Sequence, residues 1–372
     1  MPAVSVIIPT KDEEGTICEC IRGALRALEE MGLEGEVLVV DSSSDGTAEK
    51  AASCGGRVLR PDRLGYGRAY LAGFGQAAGD YIVLMDGDLT YDPSAMKEML
   101  LLLMGGRFDM VMGSRLRGRI LPGAMPALHR YLGNPLLTWV LNRLFHAGVS
   151  DAHCGLRAIT RDGLKRLRLR SAGMEFASEM VIEAASKGLR IAEIPISYYP
   201  RRGSSKLHSF KDGWRHMRFM MLYRPGPFLL IPGLLALLLG LLLTAGVYLQ
   251  GGSRIHSMIL GGMLLLIGYQ MLLAGLYFGA FGAAYGLSSS KIASRLMSYH
   301  SLEKELLLGL LLLGSGIVLG LHLLINWRAA GFGSLDAAGS AVIAMILSLL
   351  GIQTIFSGMF ISLLLLDSGR EG

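Results

Sequence analysis

Residues 81–92 read YIVLMDGDLTYD, an unbroken apolar run of strand length that ends in two carboxylates, Asp86 and Asp88, separated by one glycine. A run of this length bounded by turn residues reads as a buried strand that delivers its acidic pair to a carboxyl-terminal loop. The same grammar recurs upstream. VSVIIPTKDEE (residues 4–14) and EVLVVDSSSDGT (residues 36–47) each pass from an apolar run into a polar loop, and MVMGSR (residues 110–115) repeats it downstream. Between these runs lie amphipathic stretches near residues 15–31, 47–53, 67–78, 94–104 and 175–187, with further strands expected near 57–59 and 190–194. Strand and helix in alternation define an α/β fold with a mainly parallel sheet, whose ligands bind at the carboxyl ends of the strands.

The composition changes abruptly further along. Of the 372 residues, 51% are hydrophobic and 18% charged, and nearly all the charge precedes residue 224. Beyond it, apolar stretches near 228–249, 258–285, 306–327 and 338–366 each approach or exceed the ~20 residues needed to cross a bilayer, so four transmembrane helices are expected. The chain is thus read as three parts: residues 1–200 a soluble α/β domain, 201–225 a basic, amphipathic interfacial segment, and 226–372 a membrane domain. In the middle part Arg201, Arg202, Lys206, Lys211, Arg215, Arg218 and Arg224 alternate with Trp214 and other apolar residues, the pattern of a helix lying on headgroups.

The loop at 286–304 carries Lys291, Arg295 and Lys304, against one basic residue in each short link near Arg254 and Arg328, which puts that loop and both termini in the cytoplasm. No signal-like segment opens the chain, so the soluble domain is expected to stay on the same side. The net charge of +6 is assigned to lipid headgroups, and no nucleic-acid motif accompanies it. Cys18, Cys20, Cys54 and Cys154 lack metal-like spacing and are read as ordinary reduced thiols. The pairs Gly275/Gly279 and Gly316/Gly320 suit internal helix packing, and leave a homo-oligomer open.

Two carboxylates at a strand end suit a hard divalent cation and a diphosphate, although Asp-x-Asp also occurs as a simple turn or cap. Asp41, at the end of another run, suits a base or ribose edge, and Asp45 with Gly46 suits a helix start. The order of VSVIIPTKDEE, VLVVDSSSDGT, RLGYGRAYLAGFGQAAGDYIVLMDGDLTYDP, MVMGSR, DAHCGLRAI and GSSKL resembles family 2 glycosyltransferases of the GT-A fold, specifically the polyprenyl-phosphate enzymes related to dolichol-phosphate mannose and glucose synthases.

The resemblance covers roughly residues 4–207. It implies that Pro9, Asp12, Glu14 and Asp41 hold the nucleotide. It gives Asp86 and Asp88 the donor diphosphate with Mg²⁺ or Mn²⁺, and Asp88, Arg115 and Asp151 the catalytic roles. Arg115, Arg202 and Lys206 would receive the acceptor phosphate. Thr90 stands where mannose synthases often carry Gln, so UDP-glucose is the first choice of donor and GDP-mannose the second. The expected reaction is inverting transfer of one hexose to undecaprenyl or dolichyl phosphate at the cytoplasmic leaflet. A processive polysaccharide synthase or glycolipid glycosyltransferase is the alternative, although the QxxRW motif usual in processive enzymes is absent; a flippase or channel with a nucleotide-sugar sensor is a third reading.

Overall fold

The structure, a computed structural model, describes residues 2–61, 65–202, 209–250, 254–284, 301–333 and 337–367. These form two compact units, Met1–Met220 and Met221–Gly372.

The first unit is built on a seven-stranded sheet ordered β3-β2-β1-β4-β6-β5-β7. Its strands are β1 (Val4–Thr10), β2 (Gly35–Asp41), β3 (Arg57–Leu59), β4 (Tyr81–Leu84), β5 (Met110–Ile120), β6 (Arg157–Thr160) and β7 (Ile191–Tyr198). β1 pairs in parallel with β2 and β4, and β5 in parallel with β7. Val6, Ile7, Ile8, Leu38, Val39, Ile82 and Val83 are fully buried, as expected for strands covered on both faces. The helices are α1 (Ile17–Glu30), α2 (Thr47–Ser53), α3 (Tyr66–Gln76), α4 (Ala95–Met104), α5 (Asn134–Phe145), α6 (Arg161–Arg166), α7 (Phe176–Ser186) and α8 (Ser209–Tyr223). In α1 the buried positions Ile17, Cys20, Ile21, Ala24 and Leu28 recur at helical spacing and meet the sheet.

Three features depart from the sequence reading. β6, four residues long, enters antiparallel between β4 and β5. Its RAIT is too short to declare itself by alternation. The helical stretch comprising a π-turn at His129–Gly133 and α5 was not expected, because its apolar residues occupy more than one face. The third departure concerns thiols: Cys18, in the first turn of α1, and Cys54, at the end of α2, form a disulfide with Cα atoms 5.5 Å apart, whereas Cys20 and Cys154 are free and buried. The sequence separation of 36 residues concealed this pairing, which arises because α1 and α2 pack side by side.

The second unit contains α9 (Gly226–Leu249), α10 (Ile255–Ala284), α11 (Leu302–Ala329) and α12 (Ala338–Asp367). All four helices are long and apolar enough to cross a membrane. α9 packs on α10, α11 on α12, and α10 also meets α12. The closest approach is made by glycine: a Cβ on Gly268 would lie 2.3 Å from the backbone nitrogen of Leu237, so nothing larger fits without moving the helices. Gly275 and Gly316 are likewise packed internally, whereas Gly320 faces open space.

Candidate active site

The register of the central strands assembles the cleft. Thr10 of β1 lies opposite Asp41 of β2, and β4 on the other flank of β1 leads directly into Asp86 and Asp88. The chain reverses direction across the sheet between β3 and β4, so the loops after β1, β2 and β4 open around one crevice.

On the β1–β2 side, Thr10 Oγ1 donates to Asp41 Oδ1 at 2.8 Å, and Ser43 adds its hydroxyl at 2.5 Å and its backbone N–H at 3.3 Å. Asp41 is buried, and all three bonds go to Oδ1; among the described residues Oδ2 has none. Asp12, at φ 51°, accepts from the backbone N–H of Ser44 at 2.9 Å and so ties the first polar loop to the second. Pro9 is in β1 itself, opposite Val40. Glu14 forms a 2.9 Å ion pair with Lys50 at the surface. Asp45 accepts from both the hydroxyl and the N–H of Thr47, opening α2 as expected.

Asp86 is half-buried. Tyr66 donates its hydroxyl to Asp86 Oδ1 at 3.1 Å, and a Cβ at Gly155 would stand 2.4 Å from Asp86 Oδ2, so only glycine lets β6's approach pass this carboxylate. Burial, aided by the Asp88 charge, pushes the Asp86 carboxyl up to about 6. Asp88 is buried and held from two sides. Thr90 gives its N–H at 3.1 Å and hydroxyl at 2.5 Å to Oδ1, and Arg201 brings Nε and Nη2 each to 2.6 Å from Oδ2. Arg201 also reaches Glu13 Oε1 at 3.9 Å.

No cluster of three or more His, Cys, Asp or Glu suited to a metal occurs among the described residues. Two hard carboxylates, one of raised proton affinity, still fit Mg²⁺ or Mn²⁺ of the kind held by one or two carboxylates together with substrate phosphates.

Arg115 and Asp151 do not stand as independent site groups. Both are buried, and they form a two-pronged pair, Nε to Oδ2 at 2.7 Å and Nη2 to Oδ1 at 2.8 Å, with the Arg115 N–H adding 3.1 Å to Oδ2. The Arg115 guanidinium also lies over the Tyr198 ring, 5.2 Å from its centre. Burial raises the Asp151 carboxyl, but the Arg115 charge and hydrogen bonds outweigh it and hold it below its ordinary value. The Arg115 charge expected at the acceptor phosphate is paired with Asp151 in this structure.

Arg202 pairs instead with the exposed Glu19 at 2.8 Å, while its neighbour Arg201 takes the place on Asp88. The cause is local: Tyr199 donates its N–H to Thr90 O at 2.9 Å and Tyr198 bridges Tyr91, so the end of β7 is stitched to the DGDLTY loop and residue 201 falls over Asp88. Lys206 lies outside the described residues. Sequence reasoning missed Tyr66 and Gly155, and it named Thr90 and Arg201 without their bonds to Asp88. Thr90 and Arg201 flank motifs already singled out, but Tyr66 and Gly155 carry no signal without the fold.

A mainly parallel sheet with paired carboxylates after β4 and a hydrogen-bonded aspartate at the end of β2 has the layout of a GT-A fold. Residues 5–168 match the family model "Glycosyl transferase family 2", and residues 279–365 match "Glycosyltransferase family 2 C-terminal transmembrane region". The chain is 42% identical over 365 residues to the low-salt glycan biosynthesis hexosyltransferase Agl6 of Haloferax volcanii, covering 97% of this chain and 88% of that protein. It is 33% identical over 212 residues to the dolichyl-phosphate hexose transferase of the same organism, covering 56% of this chain and 89% of the relative.

Among solved structures, glucosyl-3-phosphoglycerate synthase of Mycobacterium tuberculosis, crystallised with Mn²⁺, UDP and glucosyl-3-phosphoglycerate, shares the fold. Its TM-score is 0.50 at 22% identity, over 60% of this chain and 80% of that one. The chain belongs to glycosyltransferase family 2 and is a membrane glycosyltransferase.

Proposed function

We propose that this chain transfers a single hexose, with inversion, from a nucleotide-sugar to a polyprenyl phosphate at the cytoplasmic leaflet. UDP-glucose is the first donor to test and GDP-mannose the second; the acceptor is undecaprenyl or dolichyl phosphate. The observation that carries the reading is the setting of Asp86 and Asp88, one half-buried and bonded to Tyr66, the other fixed between Thr90 and Arg201, in the crevice that also contains Asp41. The likeness to a dolichyl-phosphate hexose transferase supports the acceptor class.

In this reading Asp41 Oδ2 accepts a hydrogen bond from the base or ribose, while Thr10 and Ser43 hold the carboxylate in place. Asp12 and Pro9 shape the loop, and Glu14 closes its outer edge through Lys50. Asp86 and Asp88 would hold Mg²⁺ or Mn²⁺, which when bound offsets charge on the departing diphosphate.

A phosphate monoester acceptor is already largely ionised near neutral pH, its second pKa being about 6, so no strong general base is needed. Asp151, ionised and paired with Arg115, therefore acts by position. It anchors Arg115, and both stabilise the wall of the crevice formed with Tyr198. The acceptor phosphate falls to Arg202 and Lys206, while the Arg201 charge stays on Asp88.

Purified full-length protein in lipid nanodiscs, given a panel of nucleotide-sugars and polyprenyl phosphate, is expected to yield a glycolipid one hexose heavier than the acceptor. Asp88→Asn should abolish transfer, with the far-UV circular dichroism retained and the melting temperature lowered by loss of the Arg201 pair. A product bearing several sugars, or undiminished turnover in Asp88→Asn with Mg²⁺ or Mn²⁺, would overturn the proposal.

A further inference from the structure

Asp86 and Asp88 offer two carboxylate oxygens each, and all but one of these are already bonded. Thr90 holds Asp88 Oδ1, Arg201 holds Asp88 Oδ2, and Tyr66 donates to Asp86 Oδ1 at 3.1 Å. Asp86 Oδ2 has no hydrogen-bond or ion-pair partner among the described residues. It faces Gly155 at the place a Cβ would fill, so the missing side chain leaves a gap beside the one uncommitted oxygen.

Tyr66 is itself held firmly. It opens α3 within the stretch RLGYGRA (residues 63–69), between Gly65 and Gly67. Gly65 has φ 147°, which residues with a side chain rarely adopt, and a Cβ there would strike Ala172 O. A Cβ on Gly67 would strike Ser171 O and come within 2.9 Å of Phe176 Cβ. The two glycines thus let the first turn of α3 press against the chain entering α7, and the Arg68 N–H donates to Ala172 O across that contact at 3.3 Å. The Tyr66 ring meets Tyr70 edge-on, with centres 5.1 Å apart, and Phe176 at 6.3 Å, while Tyr70 and Phe176 stack at 5.2 Å. Packing on three sides therefore delivers the phenol hydroxyl to a single carboxylate oxygen.

We propose that Tyr66 is a positioning residue for the divalent cation: it holds Asp86 Oδ1 so that Oδ2 stays turned to the gap beside Gly155, where Mg²⁺ or Mn²⁺ is received. The proposal rests on the assignment of the cation to Asp86 and Asp88, and adds the residue that orients the ligand. Carboxylates that bind metals are aimed by hydrogen bonds from residues behind them, and loss of such a partner costs about 10–100-fold in metal affinity or activity. Without the Tyr66 donor the Asp86 carboxylate can turn about its terminal torsion, which has only a broad intrinsic preference.

The test uses full-length protein in phosphatidylcholine nanodiscs, titrated with Mn²⁺ alone and again with UDP or GDP present, free Mn²⁺ being read from its electron paramagnetic resonance signal. Wild type is expected to bind Mn²⁺ at a site that Asp86→Asn removes. Tyr66→Phe keeps the ring and deletes the hydroxyl, so it should retain the far-UV circular dichroism and bind Mn²⁺ about tenfold more weakly. Excess Mn²⁺ should then restore hexose transfer, a rescue that general damage to the fold does not permit. Gly155→Ala, with Tyr66 intact, reaches the same oxygen from the other side, and its methyl should weaken Mn²⁺ as well. Unchanged Mn²⁺ affinity in Tyr66→Phe would overturn the inference while leaving Asp86 as a ligand, and unchanged affinity in Gly155→Ala would overturn the placement of Oδ2. Wild-type binding that persists in Asp86→Asn, or no binding at all, would remove the cation assignment and this inference together.

Discussion

Arg115 and Asp151 show how burial changes the meaning of a motif residue. Each stands in a stretch legible in the sequence, GSR and DAHCG, and each was expected to face a substrate. Together they form a buried pair, and removing one partner leaves an uncompensated charge. Asp151→Asn should therefore cost about 3–5 kcal/mol, read as a fall in melting temperature, whereas Arg115→Met combined with Asp151→Leu should recover most of it.

The pH dependence has a definite sign. The folded pKa of Asp151 is depressed, so the pair's contribution is complete above the unfolded carboxylate value of about 3.9 and is lost as pH falls through the lower folded value. The wild type should lose its margin over the Arg115→Met, Asp151→Leu protein only below about pH 4. The tandem Arg201-Arg202 yields a second test. Arg201→Ala, which frees Asp88, should raise KM for the nucleotide-sugar, whereas Arg202→Ala should raise KM for polyprenyl phosphate, about tenfold for each ~1.4 kcal/mol lost. The sequence could not choose between these adjacent residues, because the choice is made by the bonds joining β7 to Thr90 and Tyr91.

At the scale of elements, legibility followed periodicity. β1, β2 and β4 announce themselves as unbroken apolar runs, and α1 by its 3.6-residue pattern, since both depend on local burial. β6 and α5 do not. The first is short and antiparallel, and the second leaves apolar residues outside the core, so burial and hydrophobicity part company there. Side-by-side packing of α1 and α2 is equally invisible, and with it the Cys18–Cys54 bond. Closing a loop of 36 residues restricts the unfolded chain by roughly 4 kcal/mol in the chain-entropy model, so Cys18→Ser with Cys54→Ser should lower the melting temperature of oxidised protein. Both variant and wild type should melt alike once reductant is added. Because these helices follow the two loops around Asp41, donor affinity should fall with the bond's loss more than acceptor affinity does.

Taken as a whole molecule, the chain is a case where coarse organisation is set by composition and fine placement by contacts. The membrane half needs only length and hydropathy to be recognised; the sidedness of the catalytic half is a matter of charge. With four crossings, both termini share one side, and the loop at 286–304, with Lys291, Arg295 and Lys304, should share it too, facing the cytoplasm. Ser289→Cys and Ser253→Cys sample that loop and the short link between the first two spans. In intact cells a membrane-impermeant maleimide should modify Ser253→Cys, and should reach Ser289→Cys only after permeabilisation. The opposite pattern would put the catalytic domain outside. The two outcomes also differ in thiol chemistry, because a cytoplasmic domain meets a reducing pool and an external one does not. Rapid alkylation of lysates should then find Cys18 and Cys54 as free thiols in the cytoplasmic arrangement, with the disulfide forming on oxidation, and as a stable bond in the reverse one.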